Sequence, residues 1–266
     1  MGKYRYGVEL YSVKGELAKD MPGTLRAMKG MGYEGVEFFG EFKHTAAEVK
    51  EALDAANLAC CGWHTPWSYV QDDKLESTAD YFAAIGNQYV IVPGMPDELT
   101  ATPEKAKQTA ALYNAIAAKL SKRGMSIGYH NHASELHFYA GSTACPFTAL
   151  FDNTDPSVVV QMDNGHVVNG RGFGLLSLLR RYPGRYKTVH LKPYSLDKGA
   201  VDAENGYNTM IGEDDVPWLD FMRICSASGG TQWFIVEYES AAMYPELDGV
   251  DQCIKALKKM ESKGEI

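Results

Sequence analysis

Four short segments in the second half of the chain carry, in order, groups that bind metals or move protons. They are Ile127-Gly128-Tyr129-His130-Asn131-His132, Val160-Gln161-Met162-Asp163-Asn164-Gly165-His166, Thr188-Val189-His190-Leu191-Lys192 and Phe234-Ile235-Val236-Glu237-Tyr238-Glu239. Each starts apolar and strand-like and ends in side chains that titrate or bind metal. Neighbouring strand ends of one closed sheet lie about 5 Å apart, so side chains from consecutive strands can converge on one ion. Asp163, His190 and Glu237 then form a three-ligand set of carboxylate and imidazole. Mixed oxygen and nitrogen donors suit Mn, Co, Zn or Fe more than Ca, and three ligands leave positions open for water or substrate oxygens. Strand alternation puts His130 and His132 on one side, and likewise His190 with Lys192 and Glu237 with Glu239, supplying ligands and a further layer of polar groups. For any one of these residues a satisfied buried polar group is an adequate account; four successive strand ends weigh against it. Upstream, Glu9, Glu37 and His64 stand at the corresponding ends of earlier strands. Trp63, Pro66 and Trp67 lie beside that histidine and offer surfaces suited to the apolar faces of a sugar ring. For Glu9 and Glu37, ordinary packing at a barrel mouth is an equal account.

These groups need a scaffold that presents strand ends on one face. Short apolar runs recur near Arg5–Leu10, Gly35–Phe38, Ala59–His64, Tyr89–Pro93, Ser126–His130, Val158–Met162, Tyr186–His190 and Trp233–Val236, eight in all. Between them lie amphipathic stretches such as Thr45–Ala56, Thr102–Arg123 and Gly249–Lys263, with apolar residues three and four apart. Thr102 is a candidate N-cap, Pro103 suits the first turn, Glu104 complements the dipole, and Gly124 closes the helix. Alternating strands and helices predict a parallel sheet with crossover helices, and the count of eight predicts a (β/α)8 TIM barrel formed as a single domain over residues 1–266. The length fits, since such barrels run to about 250 residues. Active sites of this fold sit at the C-terminal face, where all four segments end. The longest irregular stretch, Tyr194–Asp215, leaves the seventh strand on that face and reads equally as a surface excursion or a substrate-covering lid.

The composition narrows the partners. With 34 acidic and 26 basic residues the net charge is −8, which repels polyanions and argues against nucleic acid or an anionic membrane surface. A small polar substrate fits better. No arginine cluster marks a phosphate site, and association into a homo-oligomer is left open. Five cysteines, two of them the adjacent pair Cys60 and Cys61 in an apolar run, read as free buried thiols. The start Met1-Gly2-Lys3-Tyr4-Arg5 lacks a signal peptide's apolar stretch, and no run approaches the roughly 20 apolar residues that span a bilayer, so a soluble, cytoplasmic protein is expected. Met1-Gly2 could open a myristoylation signal, but Tyr6 stands where Ser or Thr is required. Other catalytic designs are missing: no Gly-x-Ser-x-Gly elbow, Walker phosphate loop, dinucleotide fingerprint or Cys-x-x-Cys pair occurs. Gly170-Arg171-Gly172-Phe173-Gly174 reads as a flexible βα loop.

Taken in order, Gly7-Val8-Glu9-Leu10-Tyr11-Ser12-Val13, Gly32-Tyr33-Glu34-Gly35-Val36-Glu37, Asp163-x-x-His166, Val189-His190-Leu191-Lys192, Ile211-Gly212-Glu213 and Ile235-Val236-Glu237 resemble the xylose-isomerase-like superfamily over nearly the whole chain. That superfamily holds sugar isomerases and epimerases, inosose and keto-sugar dehydratases, and endonuclease IV. The resemblance implies a divalent metal, with Mn or Zn favoured, held by residues of strands five to eight. Asp163, His190 and Glu237 match the last three positions of the family's site, and His130 stands where the first is usually Glu. Members with a His-x-His strand five look more like the dehydratases and keto-glycoside lyases. Either His130 ligates, which is preferred, or Glu135 swings in to restore a carboxylate. His132 and Glu135 become candidates for proton transfer beside Glu237, and Glu9, His64, His166 and Lys192 for substrate binding. The implied activity is metal-dependent isomerisation or epimerisation of a ketose, keto-sugar or related polyol through an enediolate; the alternative is a lyase or dehydratase of keto-sugars or keto-glycosides. A nuclease, or a barrel that binds a metabolite without turning it over, is a weaker reading.

Overall fold

The computed structural model describes residues 3–240 and 242–266; Met1 and Gly2, the lipidation start that Tyr6 argues against, lie outside the described residues. The strands are β1 (Tyr6–Glu9), β2 (Gly35–Phe39), β3 (Ala59–His64), β4 (Tyr89–Val92), β5 (Ser126–His130), β6 (Val159–Asp163), β7 (Thr188–Leu191) and β8 (Trp233–Val236). They pair in parallel in chain order, and β8 pairs back onto β1 to close a barrel. The helices are α1 (Lys14–Lys19), α2 (Met21–Met31), α3 (Ala46–Ala56), α4 (Leu75–Ile85), α5 (Pro103–Leu120), α6 (Pro146–Phe151), α7 (Asn164–Gly170), α8 (Leu175–Arg181), α9 (Trp218–Ile224) and α10 (Glu246–Lys263). The expected TIM barrel is therefore the observed one.

Local chemistry sets the boundaries. Thr45 caps α3 in a capping box with Glu48, and the Thr102 hydroxyl accepts from the Lys105 amide at the start of α5. Helix α5 tightens into a 3-10 turn at Ser121–Arg123 and ends at Gly124 with φ 71°. Helix α10 begins at Glu246 rather than the expected Gly249, and Gly249 serves another purpose. A Cβ there would lie 2.1 Å from the Tyr238 ring, so glycine lets the helix pass over the end of β8. Glu246 itself accepts from the Gly15 and Glu16 amides at 3.0 and 3.2 Å, tying α10 to the first turn of α1.

The barrel separates two apolar bodies. Cys61, Tyr89, Ile91, Val159, Trp233 and Ile235 fill its interior, while Val8, Val36, Ile127, Val160, Val189 and Val236 point outward into the larger core beneath the helices. Each such aliphatic side chain contributes about 1.5–3 kcal/mol on burial. Alternation then places Glu9, Glu37, His130, Asp163, His190 and Glu237 directly above the interior layer. On β3 alternation alone would fail, because Cys61 faces inward and His64 lies an odd number of residues on. The register between β2 and β3 shifts from Val36 opposite Cys60 to Glu37 opposite Gly62, so Cys61 is an extra residue. That bulge turns His64 into the mouth and Trp63 out of it. Trp63 stacks on Phe38 at 4.8 Å and Trp67 on Tyr113 at 5.7 Å, so neither offers the sugar-facing surface expected of it.

All five cysteines are free and buried. Among the described residues no helix is long and apolar enough to cross a membrane. The glycine run after α7 packs rather than floats, since a Cβ on Gly172 would lie 2.2 Å from the Leu136 carbonyl oxygen.

Candidate metal centre and active site

At the C-terminal mouth His130, Asp163, His190 and Glu237 each present a ligand atom, all within 4.8 Å of one another. Residues Asp163 and His190 are register partners on β6 and β7, which accounts for their closeness. His190 lies between two carboxylates, Nδ1 at 2.6 Å from Glu237 and Nε2 at 2.6 Å from Glu37. Burial pulls its pKa down, but Glu37 and Glu237 outweigh this and hold it well above the usual histidine range. Burial and the neighbouring His190 and His64 keep His130 well below that range, hence neutral with a lone pair to give. Burial works against the Glu237 carboxylate, yet Lys192 and His190 hold its pKa well below the usual range.

Asp163 supplies the test of whether a cation fits. Its Oδ1 accepts from the His166 amide at 2.7 Å and starts α7, while Oδ2 is buried without a hydrogen-bond partner. Burial pushes its pKa up to about 8. An unpartnered buried carboxylate oxygen costs on the order of 1–3 kcal/mol, more if charged. A divalent ion beside it would remove that cost, and once it displaces the proton that His190 shares with Glu237, two imidazoles with two carboxylates suit Mn or Zn. The residues present fit the group.

Beside the cluster, Glu9 accepts from His64 Nδ1 at 2.8 Å, and its second oxygen is buried and unpartnered. Burial works against the charge of His64, but Glu9 and Glu37 raise its pKa to about 9. Glu37, which ordinary packing would have explained as well, instead bridges His190 and Gln161.

One wall of the mouth carries the remaining groups. Lys192 Nζ lies 3.0 Å from Glu237 and 3.2 Å from His166 Nε2 and also bonds Glu239, so its three protons are engaged. His166 Nδ1 meets the Tyr207 hydroxyl at 2.6 Å. Tyr207 comes from a 3-10 turn, Ala203–Tyr207, inside the long loop after β7, which therefore reaches into the site. Half-buried His132 faces His130 and His166, with ring centroids at 5.2 and 4.9 Å. Glu135 stands behind it. Its carboxylate takes the Tyr129 hydroxyl at 2.5 Å, the His132 amide at 3.0 Å and the Ser134 hydroxyl at 2.9 Å, 3.7 Å from His132 Nδ1. These bonds place Glu135 outside the four-residue cluster. Gln161, Tyr129 and Tyr207 were not singled out in the sequence. The register of Gln161 with His130 could have flagged the first.

Glu135 gives a pH-dependent signature. Burial opposes its charge, but the His132 and Tyr129 hydrogen bonds outweigh this and lower its pKa to about 2. A depressed carboxylate contributes stability that is present above its ordinary value near 4.5 and lost as pH falls through about 2. The stability gap between wild type and Glu135→Gln in urea unfolding should therefore shrink as pH drops from about 4.5 towards 2. A gap that does not change with pH contradicts the assigned ionisation.

A cavity of about 290 Å³ opens over the cluster, walled by Tyr11, Phe39, His64, Pro66, His130 and His132. Tyr11 and Phe39 pack edge to face at 5.2 Å and form the aromatic side of the mouth. Among the described residues no arginine lines it.

Residues 25–260 match the model of the xylose isomerase-like TIM barrel family. Inosose dehydratase 2 of Bacillus cereus is 24% identical over 242 residues, covering 78% of this chain and 78% of that protein. An inosose dehydratase of Clostridium perfringens is 22% identical over 263 residues, 87% of this chain and 86% of that one. A Parabacteroides distasonis crystal structure described as a sugar phosphate isomerase/epimerase shares the fold, with a TM-score of 0.79 and 22% identity over 97% of this chain and 94% of that one. The family match takes in every strand end that builds the mouth except Glu9 on β1, and the chain belongs to the xylose isomerase-like TIM barrel family.

Proposed function

We propose that this chain is a metal-dependent carbon–oxygen lyase of a keto-sugar, keto-glycoside or keto-polyol, removing the proton beside a carbonyl and expelling a β-hydroxyl or β-alkoxy group. The observation that carries this reading is the four-residue donor cluster with its unpartnered Asp163 oxygen, lying beside a cavity that His130, His132 and Glu237 line. Bound by His130, Asp163, His190 and Glu237, a divalent ion would polarise the substrate carbonyl and acidify the adjoining C–H.

The chain's own groups do the rest. His132 takes the proton and returns it to the departing β-oxygen, which leaves as water or alcohol as the C–O bond breaks and the C=C bond forms. The Glu135 carboxylate behind it orients the ring and stabilises the imidazolium in between. His166 and Lys192 bond each other, Tyr207, Glu237 and Glu239, so a substrate hydroxyl would reach them by displacing one of those partners. Glu9, whose second oxygen makes no hydrogen bond within the protein, accepts from a substrate hydroxyl, and His64 holds Glu9 in place. Elimination is favoured over epimerisation because inverting a carbon needs acid–base groups on both faces of the ring. His130 replaces the carboxylate expected on strand five, and among the described residues the His132 ring makes no hydrogen bond that would hold back a proton, whereas both ring nitrogens of His166 are bonded. The names of the Bacillus and Clostridium relatives support the same choice. Isomerisation or epimerisation is the second reading, and Glu237 supports it, since that carboxylate lines the same cavity as His132 and could serve as a second acid–base group. The acidic chain and a mouth without arginine favour an unphosphorylated small substrate over nucleic acid.

The test is product analysis by NMR in D2O with a panel of inososes, keto-sugars and keto-glycosides. Exchange of the α-hydrogen with release of water or alcohol is expected. A product isomeric with its substrate selects the second reading, and no exchange with any substrate contradicts the proposal.

A further inference from the structure

We propose that Gln161 is a positioning residue that sets the tautomer of His130, holding a proton on Nδ1 so that Nε2 is the nitrogen offered to the metal. The inference rests on the metal reading above. Gln161 is wholly buried at the register position opposite His130, on β6 beside β5. Its amide is oriented by chemistry: one end lies 2.9 Å from Glu37 Oε1 and 2.9 Å from Thr188 Oγ1. A buried carboxylate in this network acts as an acceptor, so the amide nitrogen faces Glu37 and the amide oxygen faces the histidines. That oxygen lies 2.7 Å from His64 Nε2 and 3.1 Å from His130 Nδ1. An amide oxygen cannot donate, so each of those nitrogens carries a hydrogen.

The consequence for His130 is specific. With Nδ1 committed, a neutral ring keeps its lone pair on Nε2, and among the described residues the ring makes no other hydrogen bond. Through Glu37 the same amide also reaches His190, whose Nε2 is bonded to the other Glu37 oxygen at 2.6 Å. One side chain thus supports two of the four ligands. A glutamate at 161 would lose the donor to Glu37, and an apolar residue would lose both ends. Outer partners of this kind typically change metal affinity by about 10–100-fold when removed.

The experiment compares wild type with Gln161→Leu and Gln161→Met, the second serving if the first does not fold. Two readouts are taken: long-range ¹⁵N–¹H NMR of the histidine ring nitrogens in metal-depleted protein, and calorimetric and visible-absorption titration with Co²⁺. Wild type is expected to show His130 protonated on Nδ1 and to bind one Co²⁺. The variant is expected to lose the Nδ1–H preference, to bind Co²⁺ about 10–100-fold more weakly and to shift its absorption bands. An unchanged tautomer, or an unchanged Co²⁺ affinity and spectrum in a variant that folds, overturns the inference. If wild type binds no Co²⁺ while the variant still loses the tautomer, the metal reading fails and the positioning role of Gln161 stands.

Discussion

Asp163→Ala and Glu237→Ala are each expected to lower divalent-metal affinity by at least about 10²-fold and to bring turnover to background. Removing an outer partner of a metal ligand already costs about 10–100-fold, and these carboxylates are direct donors. Asp163 carries a second duty, because its Oδ1 caps α7 through the His166 amide, so Asp163→Ala also loses about 1 kcal/mol of helix-cap stability. Asp163→Asn separates the two, since an amide oxygen can still cap while the negative charge is gone. It should stay near wild type in thermal unfolding of the metal-free protein and lose metal all the same. Calorimetric titration of metal-depleted protein reads the affinities. Full retention of metal in both alanine variants contradicts the ligand assignment.

His132→Ala is expected to reduce turnover by about 10²–10⁴ while keeping the metal, because a proton-transfer group acts on the barrier and contributes little to metal affinity. By the relation of 1.36 kcal/mol per tenfold, that loss is roughly 3–5 kcal/mol of barrier. His130→Ala should do the reverse and lose metal first. His130→Glu should keep metal and reduce lyase turnover, since a carboxylate on strand five still donates to the ion and adds a second group able to exchange a proton. Steady-state kinetics beside metal analysis of the same preparations separates these cases. If His130→Ala binds metal normally and Glu135→Ala does not, Glu135 is the strand-five ligand, despite its three hydrogen bonds to Tyr129, His132 and Ser134.

The barrel was legible because its strands obey a local rule. Runs such as Ser126–His130 and Trp233–Val236 are apolar, short and separated by helical periodicity, and their observed bounds match the reading residue for residue. Strand β6 slips by one residue, to Val159–Asp163, because Asp163 both ends the strand and caps the following helix. The ligand candidates were legible for the same reason, since a titratable residue at the end of an apolar run is visible one segment at a time. What stayed hidden depends on contacts across the chain. Gln161 and Glu37 are 124 residues apart, and no spacing links them. The bulge at Cys61 reverses which of Trp63 and His64 faces the mouth, and a hydropathy pattern does not register one extra residue. Tyr207 reaches His166 from a loop whose composition suggested only an excursion or a lid.

Whether this mouth holds a divalent ion is decided by elemental analysis of wild-type protein purified without chelators and dialysed against metal-free buffer. About one equivalent of Mn, Zn, Co or Fe per chain is expected, removable by a chelator and restored on adding back the ion. Protein that carries no stoichiometric metal, and that takes up none when Mn²⁺, Zn²⁺ or Co²⁺ is supplied, would contradict it.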